Sequence, residues 1–241
     1  VIIDSATGEV ADLHALYRWP RAQWVSGLML STLGQAVAGP DGGSRSVSSP
    51  DDRAVMSALR DGADAVLVGA GTVRAERYGP MRAREHASRV TTNASPAPTA
   101  VIVTESGNIP WDAGLLTDSD NTPIIATTTG VAEHLTRQSC PATVLDCGLA
   151  SVSLAELVGQ LMALGLGRIL CEGGPRLMRT LASADLFDEL NLSWNLASAL
   201  PGTGILGADA DMDLRRFAVV HLATSVDEEA PMAFARFHRA G

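Results

Sequence analysis

The run Ala-Asp-Ala-Val-Leu-Val-Gly at residues 63–69 is apolar at consecutive positions, not alternate ones. A strand of that kind is buried on both faces, which requires a sheet covered on two sides. The rest of the 241-residue chain supplies what such a sheet needs. Strands are predicted at Trp24–Ser31, 99–104, 123–129 and 142–147, and at the start of 167–181. A helix is predicted with Ser49 as N-cap, Pro50 at its first position and Asp51 and Asp52 at the positive end of its dipole. It runs to about Arg60 and stops near Gly62. A second helix begins after Gly130. A third covers 153–164, where Ser153 and Glu156 form a capping box. Residues 74–98 are polar, rich in Arg and Ala, and read as a long loop. Three last runs, Asp188–Trp194, Phe217–Thr224 and Met232–His238, follow one another without a helix and predict an antiparallel end. The expected class is α/β: a mostly parallel central sheet flanked by helices, with an antiparallel C-terminal edge, in one domain over 1–241.

Charge narrows the function. The formal net charge is −9, which argues against nucleic acid or a membrane surface as partner. All 18 basic residues are arginine, so no mechanism can use a Schiff-base or P-loop lysine. Cys140, Cys147 and Cys171 are odd in number and contain no C-x-x-C pair, as expected of a reduced, cytoplasmic chain. Asp4, Glu9 and Asp12 make residues 1–20 unlike a signal peptide, and the apolar run 24–38 is interrupted and too short to span a bilayer. The five histidines (14, 86, 134, 221 and 238) have no metal-ligand spacing, so no metal is expected. A G-x-S-x-G elbow and the zinc-deaminase signature are both absent.

Two glycine pairs stand at strand ends. Gly69-Ala70-Gly71-Thr72-Val73-Arg74 has Arg where a dinucleotide fingerprint needs its third glycine, and no acid follows at the right distance. Alone, it reads as a glycine-permitted strand-to-helix turn. Glu172-Gly173-Gly174-Pro175 follows a buried strand and opens a helix, an arrangement that presents backbone N–H groups and a helix dipole to an anion. A plain tight reversal explains those residues equally well.

Taken in order, the pieces resemble the reductase domain of bacterial riboflavin biosynthesis, a pyrimidine reductase with the dihydrofolate reductase-like fold. The resemblance is carried by Ser31-Thr32-Leu33-Gly34, by 48–79, by 101–110 and by 165–192, and spans roughly 24–195. Leu16-Tyr17-Arg18-Trp19-Pro20 looks like stand-alone actinobacterial-type members, with 1–22 an extension packing on the domain. The resemblance implies a homodimer that uses NADPH to reduce a small ribosylaminopyrimidine phosphate, hydride passing to the ribose C1 imine. Gly69 and Gly71 would admit the cofactor, and Thr72 would contact its nicotinamide half. Gly173, Gly174, Pro175, Arg176 and Leu177 would receive its pyrophosphate, with Glu172 facing substrate. Ser44 and Arg60 match substrate positions, Arg60 as a grip for the ribose phosphate. Glu76 stands where the family usually has Asp and is the catalytic candidate. Thr104, with Ser106 and Thr127 to Thr129, offers hydroxyls to an adenosine 2′-phosphate, against which Glu105 is repulsive.

Three departures touch the pocket. The usual Ser-Leu-Asp-Gly lacks its acid at Leu33, the usual Asp-x-Pro becomes Glu76-Arg77-Tyr78-Gly79-Pro80, and Leu196 to Leu200 replace an expected Pro and Gly-Gly. They leave two competing readings: a dihydrofolate reductase-like pterin reductase, and a catalytically silent NADP-binding protein.

Overall fold

The protein, obtained as a computed structural model, is described over residues 1–76, 78–83, 95–202, 204–207 and 213–240. Its strands are β1 (Ile2–Asp4), β2 (Trp24–Thr32), β3 (Ala65–Gly69), β4 (Thr99–Val103), β5 (Ile124–Thr127), β6 (Thr143–Asp146), β7 (Arg168–Cys171), β8 (Glu189–Asn195), β9 (Phe217–Ser225) and β10 (Met232–Arg239). The helices are α1 (Leu13–Leu16), α2 (Pro50–Gly62), α3 (Ala70–Glu76), α4 (Gly114–Thr117), α5 (Thr129–Arg137), α6 (Leu154–Ala163) and α7 (Pro175–Ser183).

All ten strands join one sheet in the order β1-β9-β10-β8-β2-β7-β3-β4-β5-β6. The consecutive apolar positions of β3 explain how it is covered. Val66 and Val68 enter one core with Leu28, Val55, Leu59 and Ile102, while Leu67 enters the opposite core with Met29, Val101, Leu157 and Ile169. Each such side chain contributes about 1.5–3 kcal/mol by leaving water, so a polar residue on either face would be costly.

The sheet is parallel from β8 through β2, β7, β3, β4 and β5 to β6. The three last runs form the expected antiparallel edge, β8-β10-β9, and β1 extends it by one strand. β8 runs parallel to β2 and meets an antiparallel neighbour only at β10. The inner neighbour of β8 is β2, over 160 residues earlier, which sequence order does not indicate. Four short elements escaped prediction, namely β1, α1, α3 and α4, each too brief to show a period. The expected loop 74–98 begins inside α3; Arg77 and residues 84–94, with His86, lie outside the described residues.

Residues 1–23 lie against the antiparallel edge. β1 pairs with β9, and Arg236 of β10 donates to the carbonyls of Leu16 and Arg18. No helix among the described residues is long and apolar enough to cross a membrane. The parallel strands point their C-terminal ends to one edge, with the chain leaving β2 for one side of the sheet and β8 lying on the other. In open α/β sheets such a crossover is where ligands bind.

Candidate active site

The two glycine pairs meet at that edge because β3 and β7 are parallel neighbours. The Gly69 N–H donates to the Gly173 carbonyl (2.9 Å), and the Glu172 N–H donates to the Leu67 carbonyl (3.0 Å). The Gly174 N–H then donates to Thr72 Oγ1 at 2.7 Å. Gly173 has φ +88°, where side chains are strained, and its peptide to Gly174 is cis. A Cβ on Gly173 would meet Met29 Sδ at 2.9 Å; one on Gly174 would meet Thr72 Oγ1 at 2.8 Å. α7 starts immediately after, with Gly174 as N-cap and no side chain capping its first turn.

A cleft of about 420 Å³ opens beside this turn, lined by β2, α2, α3 and the loop before α2. Of the expected residues, Ser44, Arg60, Gly71, Thr72, Glu76, Glu172, Gly174 and Pro175 all line it. Leu177 does not offer its side chain, which is buried in the core beneath α7. The Arg176 side chain is exposed and pairs with Glu105 at 2.7 Å. Thr104 is buried at the end of β4, where its Oγ1 accepts from the Gly107 N–H (3.1 Å). At the end of neighbouring β5, the buried Thr127 hydroxyl has no partner among the described residues.

Arg60 and Glu172 were expected to meet substrate separately, yet they are joined to each other. Arg60 Nε and Nη2 donate to the two oxygens of Glu172, both at 2.6 Å, and the Tyr78 hydroxyl donates to Glu172 Oε2 at 2.8 Å. The Glu172 side chain is only 3% exposed. Burial opposes the charge on Arg60, but the Glu172 carboxylate more than restores it and raises its pKa. Burial, then the neighbouring Glu172 charge, pushes the Tyr78 phenol well above its usual range, so it stays a donor. Glu76 is likewise occupied: its Oε1 accepts from the Ser44 N–H at 2.7 Å, holding the loop before α2 across the mouth.

Two of the three sequence departures prove to be one feature. The Leu33 N–H donates to the Ser198 carbonyl (2.9 Å), the Thr32 hydroxyl to the Leu200 carbonyl (2.7 Å) and the Gly202 N–H to the Gly34 carbonyl (2.9 Å). The segments after β2 and β8 thus changed where they touch. Thr203 and residues 208–212 beyond them lie outside the described residues. A second cavity of about 300 Å³ lies there, bordered by Met29, Gln35, Ser193, Trp194 and Ile205.

Arg45, Ser48, Asp52, Arg53 and Met56 also line the main cleft and were missed. Asp52 accepts from the Ser48 hydroxyl at 2.7 Å. Burial raises its pKa, opposed by hydrogen bonds from Ser48 and Ser193 and by the charge of Arg53. The signal was present: Asp52, Met56 and Arg60 are four apart on a helix whose caps were recognised, and so share a face.

The RibD C-terminal domain model matches residues 28–196, which include both glycine turns and α2. The chain belongs to the RibD C-terminal domain family. Among relatives of this RibD-type chain is the 2,5-diamino-6-ribosylamino-4(3H)-pyrimidinone 5′-phosphate reductase of Archaeoglobus fulgidus, 29% identical over 148 residues, which are 61% of this chain and 68% of the relative. A pyrimidine reductase-like protein from Corynebacterium diphtheriae has the same fold, with a TM-score of 0.76 at 18% identity over 96% of this chain and 100% of the other. Dihydrofolate reductase from Enterococcus faecalis, solved with NADP(H), is a more distant match of fold: TM-score 0.53, 12% identity, 90% and 97% coverage.

Proposed function

We propose that this chain is an NADPH-dependent reductase that acts on a ribosylaminopyrimidine phosphate of riboflavin biosynthesis, as a cytoplasmic homodimer. The substrate is 5-amino-6-(5-phosphoribosylamino)uracil or the related 2,5-diamino-4(3H)-pyrimidinone that the Archaeoglobus relative is named for. The observation that carries the reading is the uncapped start of α7 at Gly174, opening onto a cleft also lined by the Arg60–Glu172–Tyr78 cluster.

A nicotinamide cofactor fits the residues present. A helix start with unclaimed N–H groups suits a diphosphate, and Gly71, whose hypothetical Cβ meets nothing closer than 3.7 Å, lets a ligand approach the backbone. The orphaned Thr127 hydroxyl and the Arg176–Glu105 pair stand at the neighbouring strand ends, where an adenosine 2′-phosphate would be read. When bound, NADPH supplies the hydride for the ribose C1. The chain's own residues hold the partners and keep water out. Thr72 braces the glycine turn and retains a hydroxyl hydrogen to donate. Glu76 holds the Ser44 loop across the mouth of the cleft, while Glu172 fixes Arg60 and Tyr78 as a rigid polar wall. With Arg60 so engaged, the ribose phosphate is assigned to Arg45 and Arg53 at the cleft.

Fluorescence titration with NADPH and NADH, followed by the absorbance assay of cofactor oxidation, tests the reading. Micromolar NADPH binding and turnover are expected, and failure of both cofactors to bind would sink it. Glu76→Ala should keep cofactor affinity within about twofold and lower kcat. The homodimer reading rests on Val219, Val220 and Leu222, exposed at 50% or more along β9. Sedimentation equilibrium should give twice the chain mass, and Leu222→Asp should return it to one.

A further inference from the structure

Three carboxylates line the cleft: Glu172 is taken up by Arg60 and Tyr78, and Glu76 gives one oxygen to the Ser44 amide and holds the loop before α2 across the mouth. Asp52 differs. It sits in the first turn of α2, facing the cleft between the Ser48 loop and β8, and its side-chain partners are the hydroxyls of Ser48 and Ser193. An ionised carboxylate offers about four acceptor positions, so capacity remains for two further donors on the cleft side. Burial raising its pKa is what an under-supplied carboxylate shows.

Resting on the reductase reading above, we infer that Asp52 reads the edge of the pyrimidine ring and selects a 2-amino-4-oxo ring over a 2,4-dioxo ring. A 2-amino-4-oxopyrimidine carries N3–H and the exocyclic NH₂ side by side, two donors spaced to meet both oxygens of one carboxylate. A uracil ring puts a carbonyl where that NH₂ would be, setting acceptor against acceptor in a partly buried site and leaving both unpaired. It follows that the enzyme reduces the ribose while the ring amino group is still present, and that the hydrolytic deamination of the ring comes afterwards. The same ring edge occurs in dihydropterins, so the assay must separate the two sources.

The test compares kcat/KM, at saturating NADPH, for the 2,5-diamino-4(3H)-pyrimidinone ribosylamino phosphate, its uracil counterpart and dihydrofolate. The wild type should favour the diamino ring over uracil by about a hundredfold or more, the scale at which a site built for an N–H rejects an analogue lacking it. Asp52→Asn presents one donor and one acceptor, the complement of a uracil edge. It should therefore reverse the preference, mainly through KM, with NADPH affinity unchanged. Equal use of both rings by the wild type, or an unchanged preference in Asp52→Asn, overturns the inference and leaves the reductase reading intact. If that variant does not fold, Asp52→Ser, which removes the carboxylate, should lose the preference, and an unchanged ratio there overturns the inference. Turnover of dihydrofolate alone overturns the ribose reductase and this inference with it. No turnover of any of the three by the NADPH-bound enzyme overturns both.

Discussion

Thr72 and the glycine turn illustrate how a single side chain joins two motifs. Its Oγ1 is the acceptor for the Gly174 N–H, at 2.7 Å across the β3–β7 boundary. Thr72→Val keeps the shape and removes the acceptor, leaving a part-buried N–H unpaired. The expected cost is about 1–3 kcal/mol, read as a lower urea midpoint, with Thr72→Ser within about 0.5 kcal/mol of wild type. The glycines and the threonine were legible in the sequence as a group. Their mutual contact was not, because 102 residues separate them. The same holds for Arg60 and Glu172, each visible as a candidate, whose pairing depends on α2 lying over the end of β7.

At the scale of elements, α2 is the best-specified part of the site. Ser49, Pro50, Asp51 and Asp52 together announce its start, and the helix observed is Pro50–Gly62. Ser49 is buried and its Oγ accepts from the Asp52 N–H at 3.1 Å. Ser49→Ala should cost about 1 kcal/mol in thermal or urea unfolding, and should raise KM by loosening the turn that aims Asp52. Gly173→Val belongs at this scale too. With φ +88° and Met29 Sδ 2.9 Å from its hypothetical Cβ, Gly173 is a junction between β7 and β2, so the substitution should lower stability along with cofactor affinity. The neighbouring α3 was missed, since a helix of barely two turns opening on Ala-Gly is too short for a repeating apolar pattern to be read.

Across the whole molecule, the end of the sheet opposite the cleft is held by one buried acid. Glu189, 1% exposed, accepts from Trp24 Nε1 (3.0 Å), Ser26 Oγ (3.1 Å), Asn191 Nδ2 (2.7 Å) and Arg236 Nη2 (2.7 Å), with His238 Nε2 2.9 Å away. Burial alone would raise its pKa; His238, Arg236 and Asn191 outweigh it and bring it from 4.5 down to about 2. A folded-state value below the unfolded one stabilises fully above about pH 5 and is lost as pH falls towards 2. That window is worth about 3 kcal/mol. A Tm series from pH 6 to 2 should fall accordingly, and Glu189→Gln should start lower and flatten it. Arg236 also donates to the carbonyls of Leu16 and Arg18, so acid should release residues 1–23 first, as hydrogen exchange would register.

The sequence by itself determined the parallel core, the caps of α2 and α6, and which glycines and polar residues stand at strand ends, because periodicity, caps and turns are local. Only the tertiary structure decided that β8 lies parallel beside β2, and that the changed segments after β2 and β8 are in contact. It alone showed that Glu172 is bound to Arg60 and Tyr78, that Glu76 holds the Ser44 loop, and that Asp52, with only two hydroxyl partners among the described residues, faces the same cleft. Those outcomes depend on which distant donors reach each carboxylate, and in a parallel sheet neighbouring strands are set by crossovers that no local pattern encodes.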